Sequence, residues 1–123
     1  MENKGKIAQT RYVLAVQNLH QSVEFYKEIL DFETTWEGDG WHFLQRDACF
    51  IMLGECADSP SASEIHDHSY FAYLEIEGID KLYSDLAKKN IEIISPIENK
   101  NWGQREFGIR TIDGHRIMFG QAI

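Results

Sequence analysis

Residues 102–120, WGQREFGIRTIDGHRIMFG, decide the fold. They read as two strands joined by a tight turn. Ile112, Asp113 and Gly114 supply the turn, because Asp tolerates the bend and Gly takes the positive φ that a three-residue hairpin loop with a bulge requires. Pairing outward predicts Thr111 opposite His115, Arg110 opposite Arg116 and Gly108 opposite Met118. Strand residues alternate faces, so Phe107, Ile109, Ile117 and Phe119 share one side and Glu106, Gly108, Arg110, Arg116 and Met118 the other. The first set is a core face. The second mixes charges, a bare Gly and a thioether, an odd set for a surface that meets only water.

Upstream, one order of elements occurs twice. YFAYLEIEGI (70–79) predicts a strand, IDKLYSDLAKKN (79–90) a helix stopped near Asn90, and IEIISPI (91–97) a strand before the hairpin. In the first half, Tyr12, Leu14 and Val16 alternate with Arg11, Val13 and Ala15. Asn18 then caps a helix over LHQSVEFYKEIL (19–30), where Leu19, Val23, Tyr26 and Leu30 recur at helical spacing and Phe25 and Ile29 broaden the stripe. Residues 32–36 predict a strand, Gly38 to Gly40 a turn, and WHFLQ with CFIML a hairpin around Arg46 and Asp47. Superposing Val16 on Ile76 also superposes Leu19 on Ile79 and Val23 on Tyr83. The expected architecture is one α+β domain, 1–123, made of two βαβββ modules at about 10–54 and 70–121. The loop-like stretch 55–69, ECADSPSASEIHDHS, links them. Each helix covers one face of a small, mostly antiparallel sheet, and the other faces curve into a shared trough.

A chain of 123 residues can bury a real core, and 43% hydrophobic with 26% charged residues is an ordinary globular composition. No run of about 18 apolar residues predicts a membrane span. The opening MENKGKIAQTR has no apolar leader, which predicts a cytoplasmic protein. A formal net charge of −8 argues against nucleic acid and anionic membranes as partners, since both need clustered Lys and Arg, and it attracts cations. Cys49 and Cys56 read as reduced thiols.

VLAVQNLHQSVEFYKEILDFE with its Phe-Tyr pair, EIEGIDKLYSDLAKKNIEI, and the closing TIDGHRIMFGQ with its Asp-Gly hairpin occur here in order and spacing. Across residues 11–121 this resembles the vicinal-oxygen-chelate superfamily of glyoxalases, bleomycin-resistance proteins and extradiol dioxygenases. The resemblance implies that family's fold. In the family's enzymes it also implies a divalent metal on His and Glu side chains of equivalent strands, and those four positions fall here at Arg11, Met52, Phe71 and Met118. Arg carries a fixed positive charge, Phe has no donor atom, and Met thioethers suit copper(I). No metal site and no cofactor are therefore expected. What the resemblance then implies is the metal-free bleomycin-resistance branch, homodimers that sequester a bulky cationic aromatic drug in clefts shared by two chains. The alternatives are a glyoxalase-like lyase or isomerase, or a dioxygenase-related enzyme, with an atypical or lost metal site, and a structural dimer without a small ligand.

Strand parity extended from those four positions yields a trough list. Trp41, Phe43, Phe50 and Met52 line it in the first half, Phe71, Tyr73 and Glu75 from the middle strand, and Glu106, Arg110, Arg116 and Met118 from the last hairpin. Five of these eleven are aromatic. Flat rings stack on conjugated ligands and attract cations, and Glu75 and Glu106 can pair with a ligand cation. The competing account is that the rings only pack or fill a dimer interface. Arg11 and Arg116 either neutralise Glu75 and Glu106 or bind a small acid, and pairing is the expectation. Trp102, before the hairpin, is a ligand lid or an interface plug. His66 and His68, two apart as on one strand face, invite a metal, but the polar loop offers no third ligand. His42 and His115 are weaker candidates, one on the packed face and one beside the turn. No nucleophilic constellation is present, so no catalytic residue is assigned.

Overall fold

The closing hairpin forms in the expected register. In the structure, a computed structural model that describes Gly5 and residues 7–123, with the side chains of 66–68 excepted, β7 (Gln104–Arg110) pairs antiparallel with β8 (Arg116–Ala122). Arg110 stands opposite Arg116 and Gly108 opposite Met118. The turn closes through Gly114 N–H to Thr111 O at 2.9 Å and Thr111 N–H to His115 O at 2.8 Å. Gly114 has φ 91° and packs so closely on the backbone of Ser63 that a Cβ has no room. Phe107, Ile109, Ile117 and Phe119 are all buried, as their shared face requires.

Around this hairpin stand β5 (Tyr70–Glu75), α2 (Ile79–Ala87) and β6 (Glu92–Asn99), giving a four-stranded sheet in the order β5-β8-β7-β6. The first half repeats the plan with β1 (Tyr12–Val16), α1 (Leu19–Glu24), β2 (Glu33–Gly38), β3 (Trp41–Arg46) and β4 (Cys49–Glu55), in the order β1-β4-β3-β2. In each sheet the first strand runs parallel to the last and the other pairs are antiparallel. Pro96 lies in β6, an edge strand, where its missing N–H disturbs no inner ladder.

The two halves also cap their helices alike. The Leu19 N–H donates to Glu55 Oε2 at 2.9 Å, and the Ile79 N–H donates to Gln121 Oε1 at 2.9 Å. Both acceptors come from the end of the last strand of the same sheet, so each sheet satisfies an orphan donor of its own helix. Asn18 Oδ1 adds a bond from Gln21 N–H at 3.0 Å, the cap expected from the sequence.

Three readings are corrected. The helix expected over 19–30 keeps ordinary turns only to Glu24, and Phe25–Ile29 forms a wider π-helical turn. There Phe25 and Tyr26 are both buried, and Tyr26 meets Phe25 and Phe32 edge-on at 5.7 and 5.5 Å. The linker is not all loop, because Ala62–His68 is a 3-10 helix. That removes the strand alternation on which the pairing of His66 with His68 relied, and the side chains of both lie outside the described ones.

Candidate ligand-binding face

Alternation leaves one face of each sheet open. On the first sheet Leu14, Val16, Leu44, Ile51 and Leu53 turn into the core. Trp41, Phe43 and Met52 take the opposite face, with Phe43 and Val13 both aligned on Met52. The Trp41 indole lies across Gly54, where an added Cβ would come within 2.9 Å of the ring. Phe50, two residues from Met52 along β4, is half-buried. Trp36 belongs to this set although alternation assigns it elsewhere. A bulge at Thr35 aligns Thr34 with Leu44 but Trp36 with Phe43, so the indole crosses to the open face. Its ring sits 5.0 Å from Phe43 and covers Gly38, and it remains 49% exposed. No residue type in β2 signals the bulge, so alternation alone could not place this ring.

The second sheet presents a different chemistry at the matching place. Trp41 aligns with Gly54, and Glu106 aligns with Gly120, the equivalent glycine of the second half. Tyr73 lies across Gly120 so closely that no Cβ fits there. Its hydroxyl donates to Glu106 Oε2 at 2.7 Å, and Trp102 Nε1–H donates to the same oxygen at 3.0 Å. Glu106 is 6% exposed while Trp102, in the turn before β7, is 64% exposed. Desolvation and the Glu106 carboxylate push the Tyr73 hydroxyl up to about 12, so it stays a proton donor at neutral pH. Met118 covers Gly108.

Residues 7–119 match the glyoxalase/bleomycin resistance protein/dioxygenase superfamily. The chain belongs to that superfamily. A Bacillus subtilis (strain 168) protein, YraH, is 26% identical over 125 residues, covering 91% of this chain and 94% of that one. Among solved structures, the bleomycin-binding protein of Streptomyces verticillus in complex with copper(II)-bleomycin is 18% identical with a TM-score of 0.73, over 94% of this chain and 96% of the other. A bleomycin resistance determinant encoded on transposon Tn5 is 18% identical with a TM-score of 0.78, over 94% and 98%. These two likenesses establish the fold, α+β with two mixed four-stranded sheets.

The metal positions implied within the superfamily do not fit a divalent ion here. Arg11 is exposed, Met52 and Met118 are half-buried, and none of the four residues carries a carboxylate or imidazole. Phe71 also departs from the expected trough. A bulge between Tyr70 and Ala72 makes it the extra residue of β5, and it packs edge-on against Tyr12 at 5.6 Å and His115 at 5.5 Å on the margin of the core. Tyr70 takes its place beside Arg116, which donates to the Tyr70 hydroxyl at 3.0 Å and lies 5.0 Å from the ring centre. Phe71 therefore does not share the face of Met118. Among the described residues, no three His, Cys, Asp or Glu side chains gather as a metal site.

The expected neutralising pairs are also absent, since neither Arg11 nor Arg116 bridges to Glu75 or Glu106 among the described residues. Arg110 instead reaches Glu92 at 3.3 Å, and Glu75 is exposed. His42 is buried on the packed face and shares a 2.7 Å hydrogen bond with Thr34. His115 sits beside the turn as expected, with Nδ1 buried and unbonded. A hollow of about 280 Å³ lies between Ala15, Gln17, Asn18, Ser61, Ser63 and Asp113, none of which belongs to the expected trough set. No ring contact or hydrogen bond joins Trp36, Trp41 and Phe43 to Tyr73, Glu106 and Trp102 among the described residues.

Proposed function

We propose that this chain is a metal-independent small-molecule-binding protein of the bleomycin-resistance type, which acts by sequestering a flat, cationic ligand such as an aromatic antibiotic. The observation that carries the reading is the laying of aromatic rings across glycines on both open faces, Trp36 on Gly38, Trp41 on Gly54 and Tyr73 on Gly120. A glycine there lets the ring lie down against the sheet and present its π face outward, which suits stacking on a conjugated ligand. Trp41, Phe43, Phe50 and Met52 serve one face, and Tyr73, Glu106, Trp102 and Met118 the other. Trp102 is the lid. A second copy of the chain closes the cleft, so the binding unit is a homodimer. Cys49, half-buried, and Cys56, exposed, are both free, which suits the reducing cytoplasm where we place it.

The test is native mass spectrometry of the protein with cationic glycopeptide drugs and with small oxo acids. The expected result is saturable binding of a cationic drug, recovered chemically intact, and loss of that binding in Trp41→Ala. Turnover of an oxo acid would transfer the case to a glyoxalase-like lyase or isomerase. Binding unaffected by Trp41→Ala in a folded protein would remove the open faces from the account.

A further inference from the structure

Glu106 is a buried carboxylate that forms no ion pair among the described residues. Tyr73 and Trp102, both neutral, spend their hydrogen bonds on Oε2. Oε1 takes no hydrogen bond from any described residue. The basic groups of the same sheet are paired with other residues: Lys100 with Glu98, its ammonium also 5.9 Å from the centre of the Trp102 ring, Arg105 with Asp80 at 2.8 Å, Arg110 with Glu92, and Arg116 against Tyr70. Two neutral donors hold a carboxylate in position without cancelling its charge, and burying an uncancelled charge costs stability. A fold that keeps this arrangement at the foot of an exposed Tyr–Trp pair leaves one oxygen ready for an incoming positive donor.

Resting on the reading of the open faces as a ligand site, we infer that Glu106 Oε1 anchors a protonated nitrogen that still carries N–H, a primary or secondary ammonium or a guanidinium. Tyr73 and Trp102 set the carboxylate's orientation and flank the cation with their rings. The selectivity follows from Oε1 being an acceptor only. A neutral alcohol offers a weaker donor, and a carboxylate ligand is repelled. The class of ligand is thus an aromatic amine or guanidine and excludes aromatic acids.

Isothermal titration of two probes of the same shape, naphthylmethylammonium and naphthalenemethanol, tests this. The wild-type protein is expected to bind the ammonium about ten- to a hundredfold more tightly, the range one charge-assisted hydrogen bond supplies. Glu106→Gln, checked for folding by circular dichroism, is expected to bind both probes equally, and Trp102→Phe to keep the preference at lower affinity. Equal binding of both probes by wild type overturns the anchor and leaves the aromatic site standing, as does a preference that survives in Glu106→Gln. Binding of neither probe overturns the aromatic site and the anchor together. If Glu106→Gln does not fold, the wild-type titrations are repeated at about 1 M salt, which screens the long-range attraction of the net charge: a preference that persists supports the anchor and one that vanishes overturns it.

Discussion

Tyr26 is fully buried, and its hydroxyl has no hydrogen-bond partner among the described residues. The ring is well used, edge-on to Phe25 and Phe32, so the cost falls on one oxygen. Tyr26→Phe keeps the ring and removes the orphan, and it is expected to raise stability by about 1 kcal/mol or leave it unchanged. Urea denaturation measures it, and a loss above about 1 kcal/mol would mean that the hydroxyl is bonded after all. Two imidazoles, His42 buried and His115 half-buried, set the acid side of stability. Desolvation lowers His115 below the ordinary 6.5, with Asp113 pulling it partly back, and desolvation lowers His42 against the pull of Glu37. The unfolded chain then takes the proton first, so their contribution is whole above pH 6.5 and is lost as pH falls through the folded values. Asp113 has the opposite sign. Burial raises it above 3.8, so its contribution is whole below that value and is lost as pH rises through the folded one. The urea midpoint is expected to fall between about pH 7 and pH 5, and to fall less in His115→Leu, whose ring no longer titrates.

At the scale of elements, what alternation could not foresee is the bulge. A bulge adds one residue to a strand and reverses the face of everything beyond it, and no residue type announces it. Trp36 joined the open face for this reason, and Phe71 left it. The closing hairpin was legible because Asp113-Gly114 fixes its turn, and the turn fixes the register of Glu106 through Met118. β3 and β4 pair without interruption, so alternation keeps Trp41, Phe43 and Met52 on one face. The π-helical turn at Phe25–Ile29 escaped because its apolar spacing matches that of an ordinary helix. Phe71 now carries a definite expectation: Phe71→Ala should cost about 2–4 kcal/mol in stability, as a ring lost from the core margin does, and change ligand affinity less than Trp41→Ala. Gly120→Ala makes the reciprocal case on the open face. A methyl there displaces Tyr73, breaks its bond to Glu106, and should bring the tyrosine titration at 295 nm down from about 12 toward 10.0.

At the scale of the molecule, the core and the open faces behave as two different surfaces of the same sheets. The core was legible because aliphatic and aromatic residues recur at strand and helix spacing in both halves. The open faces were legible only in part, because their function depends on what covers them. Val13, Trp36, Trp41, Tyr73 and Trp102 are all exposed on those faces. Large apolar side chains gathered on one side of a sheet are uncommon on a monomer that meets only water. The proposed homodimer would cover them more completely than a ligand alone, since the rings are divided between two sheets without contact among the described residues. Sedimentation equilibrium without ligand is therefore expected to give twice the 14.3 kDa chain mass. Trp36→Glu, which sets a charge on the open face while leaving the core untouched, should shift that mass toward the monomer with circular dichroism unchanged. A monomer in the wild type at every concentration would confine the cleft to one chain, and the rings of each sheet would then have to serve separate ligands.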